Sequence, residues 1–437
     1  MILGTLWIPL CTLCVLLLVT GVQSDDELIM SNLVYRHGAR SPIAVYPTDP
    51  YKHHWKDGIG GRLTQRGMQM EYDLGKFLKT RYVDTKFVSP QYLHTQVTIR
   101  SSGVDRCLQS AEAQLAGLYP PSDWQIWGDD ELGKLWQPIP IQTVPGDEDP
   151  VLRPENTKNC PGYDDLMEEM QKDEAYQERI NSDETKDLLK YMSLHSGWNL
   201  TVDNMWIIYD AVKSEVAEEL KQPQWIVDRL DEISSLSWYL FRFKYQPQKD
   251  TADLLGRLTG GTLLGIMNDN MKLWTSGTED EKKDLHKLNI FSAHDSTLLC
   301  LSAALQTDIV DEIPFSASIL VELFNSSGSY YVKMTYKHKD TLTPWKLSDC
   351  DEKCPLDGFI SKVKDRVPTH RVEDCHWDSE KPGYFSYKRL TVVSIVLLVL
   401  CIILLIIVIY ACVRIHQNRK NGGNTTARYD ENSALIT

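Results

Sequence analysis

The sequence predicts an α/β fold: a mainly parallel central sheet flanked by helices, with an inserted helical cap and one transmembrane helix after it. Three short apolar runs carry the sheet, because each enters a polar or glycine-bearing turn and then helical periodicity. Leu28 to Tyr35 runs into Arg36-His37-Gly38. Gln96 to Ile99 runs into Arg100-Ser101-Ser102-Gly103, after which Val104, Leu108, Ala111, Leu115 and Leu118 step by four and three along one helix face. Leu288 to Phe291 runs into Ser292-Ala293-His294-Asp295, and Ser296 to Leu305 then reads as a helix capped by Asp295 or Ser296.

The stretch from Cys160 to about Gly260 lacks this alternation, and Asp187 to Leu194, Trp206 to Leu220 and Trp225 to Phe241 are its candidate helices. A cap of about 160–260 inserted into the sheet domain accounts for them. Val321 to Phe324 and Tyr330 to Tyr336, separated by the Asn325 to Ser329 turn, read as a hairpin that ends the sheet.

Two segments stand apart by composition. Leu6 to Val19 is apolar, and Val22-Gln23-Ser24 after it suits signal-peptidase cleavage, so 1–24 is expected to be a secretory signal. Leu390 to Val413 holds 24 residues without a charge. As a helix it would span about 36 Å against a hydrocarbon core of about 30 Å. Signal and span together imply type I topology: 25–389 luminal, 390–413 in the membrane and 414–437 cytosolic.

The chain of 437 residues carries a net charge of −14. The first 24 residues have no ionisable side chain and those past the apolar run sum to +2, so the middle carries −16. A surface that acidic repels nucleic acid and offers little field to a polyanionic substrate. Twelve Trp and twenty Tyr exclude a largely disordered chain.

Six cysteines fall in the luminal segment: Cys107, Cys160, Cys300, Cys350, Cys354 and Cys375. An oxidising compartment favours disulfides, with fifteen full pairings open. Cys350 and Cys354 are close enough to bridge locally, and a zinc site completed by Cys375 and His376 or His370 is the rival. Asn199-Leu-Thr201 and Asn325-Ser-Ser327 are luminal glycosylation sequons, and Asn424-Thr-Thr426 lies on the cytosolic side.

Chemistry concentrates where the three turns meet, because ligands of such sheets bind beyond the C-terminal strand ends. Arg36-His37-Gly38-Ala39-Arg40-Ser41-Pro42 sets two guanidiniums around an imidazole, an oxyanion pocket in outline. Arg100 would add a third guanidinium, and His294-Asp295 a donor and a carboxyl. An imidazole among such cations stays neutral, and the fixed charges would neutralise phosphoryl oxygens, so the reading calls for no metal and no cofactor. There is no DxDGT start and no Cys-x5-Arg loop.

Arg36 to Pro42 resembles the RHGxRxP motif of the histidine acid phosphatases. Gly60 to Gly67 (GGRLTQRG), Ile99 to Ala111 (IRSSGVDRCLQSA), Leu135 to Pro145 (LWQPIPIQTVP), Asn159 to Pro161, Ser292 to Asp295 and Cys350 to Leu356 resemble further segments in order. The spanning helix and short tail resemble the membrane-bound, lysosomal branch. The resemblance implies that His37 is the nucleophile, that Arg36, Arg40, Arg100 and His294 bind phosphate, and that Asp295 donates a proton to the leaving alcohol. It implies an aromatic at the substrate entrance in Trp206, for which core packing is the alternative. Cys160–Cys375 and Cys350–Cys354 are the pairings it implies, while Ser214 and Ser318 stand where a further family disulfide would be. Gly103 replaces the usual Asp of its motif, which puts that turn's hydrogen bonding in question.

The function implied is an acid phosphatase that hydrolyses small phosphomonoesters or phosphoproteins through a phosphohistidine in an acidic lumen, at a lysosomal or endosomal membrane. Alternatives are a histidine phosphatase acting on inositol or lipid phosphates, and a receptor-like protein on a retired enzyme fold. The resemblance at Trp136-Gln137-Pro138 implies a homodimer. Glu431, Leu435 and Ile436 form an acidic dileucine pattern of the kind cytosolic sorting adaptors read.

Overall fold

The computed structural model describes residues 26–129, 131–154, 160–245, 251–375 and 400–417. Contacts divide the chain into two units, 1–376 and 377–437. In the first, eight strands among the described residues form one sheet: β1 (Glu27–Arg36), β2 (Val97–Gly103), β3 (Gln142–Pro145), β4 (Leu288–Ala293), β5 (Ser318–Ser326), β6 (Ser329–His338), β7 (Thr341–Trp345) and β8 (Cys354–Pro355). Their order is β3-β2-β4-β1-β5-β6-β7, with β8 on β6. The pairings β3–β2, β2–β4 and β4–β1 are parallel, and those from β1 through β5 to β6, β7 and β8 are antiparallel. Four of the seven pairings are therefore antiparallel, more than the terminal hairpin alone suggests, because β5 also runs antiparallel to β1 while β7 and β8 add to β6.

The central strands β1 and β4 carry buried apolar residues on both faces because both faces are covered. Met30, Val34, Phe291, Ala293, Ile319 and Val321 point into one core, and Leu33, Tyr35, Leu288, Ile290 and Leu320 into the other. This is the period-two alternation of a strand applied to a sheet buried on both sides. Helices α1 (Gln65–Leu78) and α2 (Asp105–Leu118) cover the second face, while α4 (Asp295–Ala304) and Gly261–Ser276 cover the first. Here α3 is Trp206–Ala217, in the segment between β3 and β4.

Among the described residues from 161 to 276, all regular structure is helical. Leu188, Met192, Ile208, Ala211, Ile233 and Leu236 belong to a third core of its own. The helix expected over Trp225 to Phe241 is two, Gln224–Val227 and Leu230–Phe243. Arg229 at the break leaves helical geometry, with φ −133 and ψ 26, and its guanidinium binds both Asp187 and Glu232.

Cys160 is bonded to Cys375 and Cys350 to Cys354. The first bond ties the start of the helical segment to the end of the domain, 215 residues apart. Cys107 and Cys300 are buried. Asn199 is exposed and Asn325 half-buried in its hairpin turn, where its side-chain oxygen accepts the Gly328 N–H at 2.8 Å.

In the second unit Leu400–Gln417 is an 18-residue helix with mean hydropathy 2.3, exposed along its length. At 1.5 Å per residue it covers about 27 Å, long and apolar enough to be a candidate membrane span. Residues 390–399 of the expected span, the signal 1–24 and the tail residues Glu431, Leu435 and Ile436 lie outside the described residues.

One buried pair ties α3 to the loop after the arginine-histidine motif. The Asp49 and Glu215 carboxyls lie beside each other and act on each other, each with one buried oxygen that has no other partner among the described residues. Asp49 Oδ1 accepts the Tyr51 N–H at 2.6 Å, and Glu215 Oε2 accepts Gln222 at 2.9 Å. Two adjacent buried carboxyls can keep their contact only by sharing a proton. Burial, with Asp49 beside it, pushes Glu215 up to about 8 from an ordinary 4.5. The folded chain therefore holds a proton that the unfolded chain releases, and this stabilisation is complete below pH 4.5 and lost as pH rises through 8. Melting temperature should fall between pH 5 and pH 8.5, and Glu215→Gln should flatten that slope. An unchanged slope in the variant would remove the pair from the account.

Candidate active site

The site forms where β1, β2 and β4 end. His37 follows the last residue of β1, and its N–H donates to Ala293 O at 3.0 Å. Its Nδ1 lies 2.9 Å from Gly38 O, which can only accept, so Nδ1 carries the proton and Nε2 keeps its lone pair. The Gly38 N–H donates to Ser110 Oγ at 3.2 Å, fixing the peptide that orients the ring. Gly38 is required by approach: a Cβ there would sit 2.3 Å from Gly67 O, and one on Gly67 would sit 2.0 Å from Ala39 O. The loop lies backbone to backbone on α1, and Thr64 caps that helix by accepting the Gly67 N–H.

Arg36, at the end of β1, pairs with Asp295 through Nη2 at 2.9 Å, donates from Nη1 to Ile313 O, and stacks 4.1 Å from the Phe315 ring centre. Arg40 is held in a fork by Asp210 of α3, with contacts of 2.6 and 3.2 Å. The same carboxylate accepts the Ile43 N–H at 2.8 Å. Removing one member of such a buried pair costs about 3–5 kcal/mol, because the other is left charged and unpaired.

His294 is the N-cap of α4, a role expected of Asp295 or Ser296, and Thr297 Oγ1 accepts its N–H. Its ring is 5.6 Å from that of His37. Arg106 Nη2 donates to His294 Nδ1 at 3.3 Å, so the ring proton lies on Nε2 and goes to Ser102 Oγ at 2.9 Å. The Cys107 thiol packs on the same ring, and burial pushes it up to about 12, away from the reactive thiolate form.

The third guanidinium is Arg106 rather than Arg100. Arg100 lies within β2 and donates to Asp149 Oδ1 at 2.6 Å, whereas Arg106 is the charge acting most strongly on both imidazoles. Burial first, then Arg106, Arg36, Arg40 and His294, holds His37 well below the ordinary imidazole range. Asp295 departs from expectation as well. Burial alone would raise its carboxyl, but Arg36, Lys213, Arg40 and His294 outweigh that and hold it well below the usual carboxylate range. It is a carboxylate in acid, so acidic solution alone does not load it with a proton.

Sequence reasoning missed Arg106, Asp210 and Lys213. Arg106 carried a signal: it stands in the first turn of α2, where side chains reach back toward the strand ends. Trp206 is 44% exposed, which removes core packing as its role, and it lies one helical turn before Asp210. Gly103 is also set by approach, since a Cβ there would meet Val144 O of β3 at 2.2 Å.

Losing one fixed donor to a developing oxyanion typically costs about 10²–10³-fold. Arg106→Ala should therefore lower kcat/KM by about that factor. Arg100→Ala should lower it far less, and steady-state kinetics on one aryl phosphate would expose the reverse order if it held.

The matching family model is that of the histidine phosphatase superfamily, branch 2, over residues 27–337. Human prostatic acid phosphatase is 36% identical over 368 residues, covering 82% of this chain and 90% of that protein. Human lysosomal acid phosphatase is 34% identical over 349 residues, covering 78% and 79%. The phytase of Citrobacter braakii superposes with a TM-score of 0.59 at 17% identity, covering 80% of this chain and 99% of that one, a likeness of fold. The chain belongs to branch 2 of the histidine phosphatase superfamily.

Proposed function

We propose that the protein is an acid phosphatase that hydrolyses phosphate monoesters through a phosphohistidine on His37. The observation that carries this reading is an imidazole with Nδ1 fixed on Gly38 O, Nε2 unprotonated, and Arg36, Arg40 and Arg106 acting on it. The Nε2 lone pair attacks phosphorus, the ester P–O bond breaks, and the guanidiniums balance the charge on the phosphoryl oxygens. Water then attacks phosphorus, gives its proton to the Asp295 carboxylate, and the P–N electron pair returns to Nε2.

The leaving alcohol needs a proton that Asp295 lacks in the free protein. A phosphate monoester supplies it, since its second ionisation falls at about pH 6 and the monoanion still holds one proton. Phosphate charge among the cations also weakens the field that keeps Asp295 ionised, so the proton can pass from the ester to Asp295 and on to the leaving oxygen. On this account kcat/KM falls above about pH 6 because the substrate monoanion disappears. Lowering the second pKa of the ester should move that limb to lower pH by an equal amount, and a limb that stays fixed assigns it to the protein.

His37→Ala should abolish turnover of every phosphomonoester and the acid-labile phosphoprotein trapped by quenching with labelled substrate. Asp295→Ala should lose about 10²–10⁴-fold on an alkyl phosphate and much less on a nitrophenyl phosphate, whose leaving group needs no proton. Equal losses would restrict Asp295 to holding Arg36.

The address is part of the same reading: signal 1–24, luminal 25–389, a span at 390–413 and a lysosomal membrane. Its supports are the apolar helix, the disulfides and relatives named lysosomal. Glycans are proposed at Asn199 and Asn325, and Trp206 at the rim of the entrance. A homodimer through Trp136-Gln137-Pro138 would use a surface beside edge strand β3 where Trp127 and Leu135 are exposed. Leu435→Ala with Ile436→Ala should raise the amount at the cell surface if adaptors read the tail, and surface biotinylation checks it.

A further inference from the structure

A cavity of about 460 Å3 opens beside Arg36. Phe315, which lines it, has its ring centre 6.0 Å from that of His37. Lys213 lines it, as does Arg36, which pairs with Asp295 at 2.9 Å, so it lies beside the carboxyl that would meet a leaving group. Its remaining polar wall holds Arg66, His338, Lys339 and one carboxylate, Glu312. The carboxylate in the wall, Glu312, is already engaged by Lys213 and the Tyr209 hydroxyl. Arg66 is held by Glu219 through a surface pair at 2.8 Å, which exchanges cheaply for a better partner.

Among such groups an anion does what water does poorly. Burial and the neighbouring Arg36 pull the Lys213 ammonium below its ordinary range, a cost that a negative ligand relieves. The local charge is thus opposite to the −14 of the whole chain, and a cavity of this size admits a sugar-sized group.

Resting on the proposed roles of His37 and Asp295, we infer that this cavity is a leaving-group subsite for a second anionic group, and that the favoured substrates are polyol or sugar phosphates carrying one. The transferred phosphate lies among Arg36, Arg40 and Arg106, while the second anion is met by Arg66, Lys213 and Lys339. An unsubstituted phosphomonoester is still hydrolysed, without that contribution.

The test compares fructose 1,6-bisphosphate with fructose 6-phosphate at pH 5 by phosphate release. Both are measured in one preparation, so their ratio of kcat/KM does not depend on how much protein is folded. Two reacting groups give a ratio of two by statistics alone. The subsite predicts about tenfold or more, the worth of one charge-assisted hydrogen bond, falling as salt is raised. Arg66→Ala with Lys339→Ala should bring the ratio back toward two, and Lys339→Glu should lower it further. A ratio of two or less in the unmodified protein overturns the inference, as does a high ratio that survives both variants. Hydrolysis of neither ester by folded protein would instead sink the phosphatase reading on which it rests.

Discussion

The rest of the site depends on confining three guanidiniums around one imidazole. Their mutual repulsion has to be met by the scaffold. Asp295 and Ile313 O brace Arg36, Asp210 braces Arg40, and His294 takes a bond from Arg106. The bracing is incomplete, because the Nε atoms of all three arginines are buried without a hydrogen-bond partner among the described residues. Each such donor is a cost that folding has to carry. The carboxylates that offset it come from different parts of the chain: Asp295 opens α4 and Asp210 belongs to α3. The helical segment is therefore joined to the sheet electrostatically at the point where the chemistry is placed, and the Asp49–Glu215 contact joins the same helix to the same loop a second time.

Much of this was legible because strand, turn and helix leave distinct periodicities. The three apolar runs became β1, β2 and β4, and Arg36, His37, Arg40, His294 and Asp295 converge as their turns suggest. Arg100 shows why the rest was not. Register sets Arg36 opposite Ala293, at the end of β4, but Arg100 opposite Phe291, two residues short of it. Strand β2 runs on through Ser101-Ser102-Gly103, whose polar residues read as a turn when taken alone. The two serines are buried because they find partners: Ser102 meets His294 at the start of α4, and the Ser101 hydroxyl donates to the Ser102 carbonyl. Tertiary partners of this kind leave no periodic trace. Asp210 and Lys213 were hidden for a similar reason, since a carboxylate and an amine on a helix look solvated until their partners from Arg40 and Glu312 are in place.

The contrast between the acidic chain and its basic centre is a matter of distance. A net charge of −14 is spread over the whole molecule, and at physiological salt exposed charges are screened beyond about 8 Å. The buried cations around His37 act across short, poorly screened paths, so the field there is set by Arg36, Arg40 and Arg106 and not by the total. The same field explains why Asp295 and His37 hold the opposite charge states to those that acidic solution would impose on free side chains. Burial and then the guanidiniums keep the imidazole neutral, while Arg36, Lys213 and Arg40 outweigh burial and keep the carboxyl ionised. On the proposed mechanism acid then serves the substrate rather than the protein. The proton that leaves with the alcohol would enter on the phosphate, and the pH at which such a centre works would be set by the chemistry of the ester it receives.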